Sequence, residues 1–168
     1  GMLGSSLAVA LSEEHKVFGT GNSKISIPVD YKLFDLSSDF YKDLIDWAQP
    51  ELIIHCAAIT NSNYCEKNFQ DAFNVNGYSI KKLIDFTEKN VKIIYISTDA
   101  VFSSKSHMAK ESECRAPENI YGKSKELGEF FLLNSGRDYL VLRTTIVGSN
   151  PKSLSLGFVD WILKSVKN

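Results

Sequence analysis

Three short apolar runs without polar alternation, Leu52-Ile53-Ile54, Val91 to Ile96 and Tyr139 to Leu142, constrain the fold most. A strand with one wet face alternates apolar and polar residues, so an unbroken run fits a strand covered on both faces, as in a parallel sheet. Helical patterns at about 66–90 and about 120–134 separate these runs. Strands joined through helices imply right-handed βαβ units in a doubly wound α/β sheet. Upstream, helical spacing over Leu3 to Glu13 precedes a short strand at Lys16 to Thr20, closed by Gly21-Asn22. A second strand at Lys32 to Leu36 leads to Ser38, read as the N-cap of a helix that buries Phe40, Leu44 and Trp47 and ends before Pro50. Phe102 to Asn119 follows neither period and carries Pro117, which reads as a long loop of the kind usually kept for function. A last helix is expected at about Ser155 to Val166.

With 168 residues, 43% of them hydrophobic, and no Pro-, Gly- or Ser-rich linker, residues 1–168 read as a single domain. Lys+Arg 19 against Asp+Glu 20 gives a net charge of −1, which supplies no broad positive field for nucleic acid or anionic lipid. No apolar run approaches the roughly 18 to 20 residues that cross a bilayer, and the expectation is a cytoplasmic protein with neither nucleic acid nor membrane as partner. Cys56, Cys65 and Cys114 are odd in number and form no CxxC pair, so reduced thiols are expected rather than disulfides or a metal site.

In open parallel sheets, ligands bind beyond the carboxyl ends of the strands, so the residues just after each apolar run carry the chemistry. Gly1-Met2-Leu3-Gly4 opens a helix, where glycines let a phosphate approach unsatisfied N–H groups, although an expression scar before Met2 would leave the same start. His55-Cys56-Ala57-Ala58 offers small side chains beside which an extended ligand could lie, or simply tight helix packing. Ser97-Thr98-Asp99 puts hydroxyls and a carboxylate at a strand end; a local turn or helix cap is the plainer reading of such residues. Tyr121 and Lys125 are four apart on one helix face. A tyrosine hydroxyl can deliver the proton that a carbonyl oxygen needs when hydride reaches its carbon, and a neighbouring ammonium eases loss of that proton. With 7 tyrosines and abundant lysines, one Tyr-x-x-x-Lys match is near chance. Tyr78 and Lys82 form a second such pair, which its place in a long helix assigns to a surface and core boundary. Context favours the first: a strand ending in Ser97-Thr98, a long loop, then the pair on the opening turns of a helix.

The ordered set Gly-x-x-Gly, His55-Cys56-Ala57-Ala58, Asn74-Val75-Asn76, Ile96-Ser97-Thr98-Asp99-Ala100-Val101-Phe102, Tyr121-Gly122-Lys123-Ser124-Lys125 and Leu142-Arg143-Thr144 resembles the extended short-chain dehydrogenase/reductases. Within them it is most similar to the dTDP-4-dehydrorhamnose reductase group. The resemblance implies a Rossmann-like NAD(P)-binding fold and reduction of a 4-keto nucleotide sugar for cell-surface polysaccharide synthesis. It implies Tyr121 as proton donor, Lys125 on the nicotinamide ribose and Thr98 on the reacting oxygen. Gly1, Met2, Leu3 and Gly4 would lie under the pyrophosphate, Asp35 and Leu36 beside the adenine, and Cys56, Ala57, Ala58 and Ser97 along the cofactor. No Asp or Glu closes the strand ending at Thr20, and Asn22, Ser23 and Lys24 could receive a 2′-phosphate, so NADP(H) is favoured with NAD(H) open. The family pattern starts with a central strand carrying its first glycine and continues into a C-terminal substrate lobe, so this chain is expected to be a fragment lacking both. Ala100 stands where the pattern has tyrosine, and Thr145-Ile146-Val147-Gly148 lacks the usual aromatics, which leaves the sugar open. A homodimer is also left open. The alternative is a non-catalytic nucleotide-binding regulatory subunit with the same fold.

Overall fold

The computed structural model describes residues 1–145. The expected helix at about Ser155 to Val166, and the residues from Ile146 onward, lie outside the described residues.

Helix α1 (Met2–Leu11) leads into β1 (Phe18–Gly21), then β2 (Asp30–Leu33), α2 (Tyr41–Ala48) and β3 (Leu52–His55). The next helical segment runs as α3 (Ser62–Lys67), α4 (Phe69–Ala72), a π-helical turn over Phe73–Tyr78 and α5 (Ser79–Phe86). It is followed by β4 (Lys92–Ser97), a 3₁₀ turn (Asp99–Val101), α6 (Ile120–Leu133) and β5 (Tyr139–Arg143). All strand pairs are parallel: β1 with β2, and β3–β4–β5 with β4 in the centre. From β2 onward strands alternate with helices as expected, but no ladder joins β1 to β3 among the described residues, and the sheet is in two pieces.

Burial refines the reading of the apolar runs. Central β4 is covered on both faces, with Ile93, Tyr95 and Ile96 buried, whereas Leu52 of β3 and Tyr139, Leu140 and Leu142 of β5 are exposed. Strand position, which the run itself does not encode, decides this. Tyr41, Ile80, Leu83, Ile93, Tyr95 and Leu132 form the core, flanked by Phe34 and Leu36 after β2 and by Ile53 of β3, so it spans both sheet pieces.

Three local expectations are corrected. Strand β2 ends at Leu33 rather than Leu36, because the Asp35 carboxylate accepts from the Ser37 backbone N–H and hydroxyl, both at 2.8 Å, and turns the chain. Ser38 does not cap α2: Phe40 is the N-cap and is 71% exposed, while Tyr41 and Leu44 are the buried residues. The helix expected over 66–90 is broken at Asn68 and stops at Phe86. Lys82 does sit at a core boundary, over the Tyr41 ring and bonded to the carbonyls of Ser37 and Ser38.

The segment after α6 is fixed from one residue. Gly136 takes φ +63°, a left-handed conformation that a side chain disfavours, and aims Arg137 at the end of α5. There the guanidinium donates to the Ile84 carbonyl and the Thr87 hydroxyl at 2.8 Å each, with longer bonds to the Thr87, Glu88 and Val91 carbonyls. The Ile84 carbonyl lies in the last turn of α5, where a helix end leaves carbonyls without intrahelical partners, and the other acceptors belong to the chain that leads on to β4. Arg137→Ala should therefore lower stability by about 2–3 kcal/mol, read from urea unfolding.

Candidate functional site

Central β4 delivers Ser97 and Thr98 to the carboxyl edge of its sheet, and α6 starts beside them. Asn119 caps α6, accepting from the Gly122 N–H at 2.7 Å, and the Glu66 carboxylate takes the Ile120 N–H at 2.8 Å. The first turn can approach only because residue 122 is glycine: a Cβ there would collide with the Ala100 carbonyl oxygen. Farther along, a Cβ at Gly128 would lie 2.6 Å from the Tyr95 hydroxyl. Helix α6 thus lies close against β4 and the turn that follows it, which brings Tyr121 to Thr98.

Thr98 takes the local part that the plainer reading gives it. It caps the 3₁₀ turn by accepting from the Ala100 N–H, and its hydroxyl also reaches Asp99 at 3.1 Å. It hydrogen-bonds Tyr121 as well, which favours the tyrosinate, yet burial is the larger effect and the phenol is raised above its ordinary range. Tyr121 is consequently held protonated, as a proton donor must be before it acts.

Lys125 is 2% exposed; its ammonium donates to the Ile96 carbonyl at 2.7 Å and lies 4.0 Å from the Tyr95 ring centre. Burial lowers its pKa to about 7, against the opposing pull of Glu129 and Cys56. The expected electrostatic help from Lys125 to Tyr121 is therefore not what dominates at the phenol: the ammonium is turned inward onto β4, and the lowering influence there is Thr98.

The structure brings the start of α1 next to the segment after β3. Gly4 in the first turn of α1 faces Cys56, whose Cβ is 3.5 Å from where a Gly4 Cβ would stand, and Gly1 caps the helix with no side-chain hydrogen bond. Cys56 and Ala58 are half-buried and Ala57 exposed, leaving a surface of small groups beside a helix N-terminus. That arrangement fits a dinucleotide pyrophosphate, with Met2 and Leu3 in the same turn. Asp35 is exposed and engaged with Ser37, which lowers its pKa, whereas Leu36 packs on the core. The Ser97 hydroxyl points inward and donates to Glu129 at 2.5 Å, so it is used within the protein. Asn22, Ser23 and Lys24 are exposed just beyond β1.

Sequence reasoning passed over Asn76 as a single residue. Within the π-helical turn, its amide accepts from the Ile59 N–H (2.8 Å) and donates to the Ile59 carbonyl (3.0 Å) and Ser124 hydroxyl (2.9 Å), tying the segment after β3 to α6. Its place inside a helical pattern gave no hint of this. Beside Asp99 a cleft of about 510 Å³ opens, lined by Ala100, Phe102, Ser103, Ser104 and Arg143 among others. Among the described residues, no helix is long and apolar enough to cross a membrane.

The family description "RmlD substrate binding domain" matches residues 1–168. The chain belongs to this family. It is 32% identical to dTDP-4-dehydrorhamnose reductase of Aggregatibacter actinomycetemcomitans over all of this chain and 55% of that protein. It is 29% identical to methionine adenosyltransferase 2 subunit beta of Xenopus tropicalis, over 99% of this chain and 50% of that one. Among solved structures, the RmlD-family chain matches a hypothetical dTDP-4-dehydrorhamnose reductase from Sulfolobus tokodaii with TM-score 0.86 and 32% identity, covering 98% of this chain and 57% of that one. A dTDP-4-dehydrorhamnose reductase from Bacillus anthracis in complex with NADP matches with TM-score 0.73 and 25% identity, over 89% and 59%. The fold is thus Rossmann-like α/β, and the RmlD-family chain spans about half the length of the curated relatives it matches.

In this RmlD-family chain, Gly122→Ala should force α6 away from the Ala100 carbonyl. The expected cost is about 1–3 kcal/mol in thermal or urea unfolding, well above that of an alanine at a roomy helix position.

Proposed function

We propose that the complete protein is an NADPH-dependent reductase of a 4-keto nucleotide sugar, serving polysaccharide synthesis, with residues 1–168 as its cofactor-binding domain. The single observation that carries this reading is the pairing of a protonated, half-buried Tyr121 with Thr98 at the carboxyl end of β4. The small-residue wall of Cys56, Ala57 and Ala58 beside the α1 N-terminus supports it, as do relatives named as reductases and one solved with NADP.

Gly1 to Gly4 would receive the pyrophosphate, Asp35 and Leu36 the adenine, and Lys125 the nicotinamide ribose once its ammonium swings off the Ile96 carbonyl. When bound, the dinucleotide supplies hydride to the keto carbon. The carbonyl π electrons then settle on oxygen, and Tyr121 gives its proton to that oxygen while Thr98 holds it by a hydrogen bond. The tyrosinate left behind regains its proton from solvent. The cleft beside Asp99 would take the sugar, where the Ser103 and Ser104 hydroxyls, which donate to Glu118, can accept from sugar hydroxyls.

In the full-length protein, Tyr121→Phe should lower turnover by about 100-fold or more, with NADPH binding by fluorescence unchanged. Unaltered turnover would remove Tyr121 from the acid role. NADPH should be preferred over NADH, and Lys24→Ala should narrow that preference by weakening the 2′-phosphate site, read from the two dissociation constants.

A second reading, a nucleotide-binding subunit of another enzyme, is favoured by the relative named as a methionine adenosyltransferase subunit. Stable co-purification of the full-length protein with a partner, together with no ketoreductase turnover, would select it.

A further inference from the structure

Glu129 stands four residues beyond Lys125, on the same face of α6, and is 0% exposed. Its carboxylate accepts from the Ser97 hydroxyl at 2.5 Å, from Arg143 Nε at 3.0 and 3.2 Å and from Arg143 Nη2 at 2.7 Å. Arg115 Nε approaches to 3.7 Å. Arg143 also donates to the Glu111 carbonyl at 3.2 Å, and its guanidinium lies 5.0 Å from the Phe102 ring centre. One carboxylate therefore joins α6, the ends of β4 and β5, and the long loop.

A buried carboxylate is tolerated only when it is paired and hydrogen-bonded, and here every contact is charge-assisted. The buried Lys125 ammonium, by contrast, touches only a carbonyl and an aromatic face. The ionisable groups that face it are Glu129 and Tyr121 on α6, His55 at the end of β3, Cys56 just after it, and Tyr95 on β4. Burial keeps His55 neutral down to about pH 3 and pushes the Cys56 thiol and Tyr95 phenol up, so none of these supplies a lasting opposite charge near neutrality. Glu129 is the carboxylate on the same face of α6, paired with Arg143 and with Arg115 facing it from the other side.

We propose that Glu129, clamped by Arg143 and Ser97, is a positioning residue that keeps the buried Lys125 ammonium charged, and that Arg143 sets the strength of this effect. Its consequence for turnover rests on the reductase reading; its consequence for Lys125 does not.

The test is an NMR pH titration of the full-length protein labelled with ¹³Cε-lysine, the Lys125 signal being assigned through Lys125→Arg. Glu129→Gln removes the negative charge, so the Lys125 midpoint should fall by about one pH unit or more. Arg143→Gln removes a competing cation, so the midpoint should rise. Opposite shifts are what a merely structural salt bridge would not produce. Midpoints that stay put in both folded variants, or move the same way, overturn the proposal. If Glu129→Gln does not fold, Arg143→Gln decides alone: a raised midpoint supports the proposal, and an unmoved or lowered one overturns it. In a working reductase, the alkaline limb of the turnover profile should follow each midpoint. Shifted midpoints in a protein without turnover would reject the reductase reading and leave the Lys125–Glu129 coupling standing.

Discussion

The close approach of α6 to β4 is the constraint on which the rest of the site depends. Glycine at 122 lets the helix start against the Ala100 carbonyl, and glycine at 128 leaves room for the Tyr95 hydroxyl. That hydroxyl in turn bonds the Asn76 carbonyl at 2.8 Å and the Lys125 carbonyl at 3.3 Å, so the strand, the π-helical turn and α6 are locked at one depth.

Two buried charges sit in this contact. Glu129 is surrounded by donors from three elements, while Lys125 has one carbonyl and a ring face. A charge moved from water into a packed interior loses hydration that only pairing restores. The two residues lie one turn apart on α6, yet burial still outweighs the pull of Glu129 and lowers Lys125 to about 7. The same dry setting raises Tyr121, so one packing decision controls the protonation of both members of the pair.

Much of the architecture was legible because it follows from local pattern. The apolar runs at 52–54, 91–96 and 139–142 are strands, and α6 begins at Ile120, where the helical pattern over about 120–134 starts. The readings around 35–40 failed for a local reason of another kind: the Asp35 carboxylate satisfied its own turn, which moved the start of α2 and exchanged exposed Phe40 for buried Tyr41. The break at Asn68 and the π-helical turn were hidden because helical periodicity over 66–90 persists through both.

By itself, the sequence determined the alternation of strands and helices, the parallel character of the sheet, and the spacing that puts Tyr121, Lys125 and Glu129 on one face of one helix. These follow from backbone periods of two and 3.6, which act over a few residues. Only the tertiary structure decided which strand is central, that the Ser97 hydroxyl turns inward to Glu129, and that the Lys125 ammonium points at Ile96. Those outcomes depend on desolvation and on partners 14 to 32 residues away along the chain, and no local period records them.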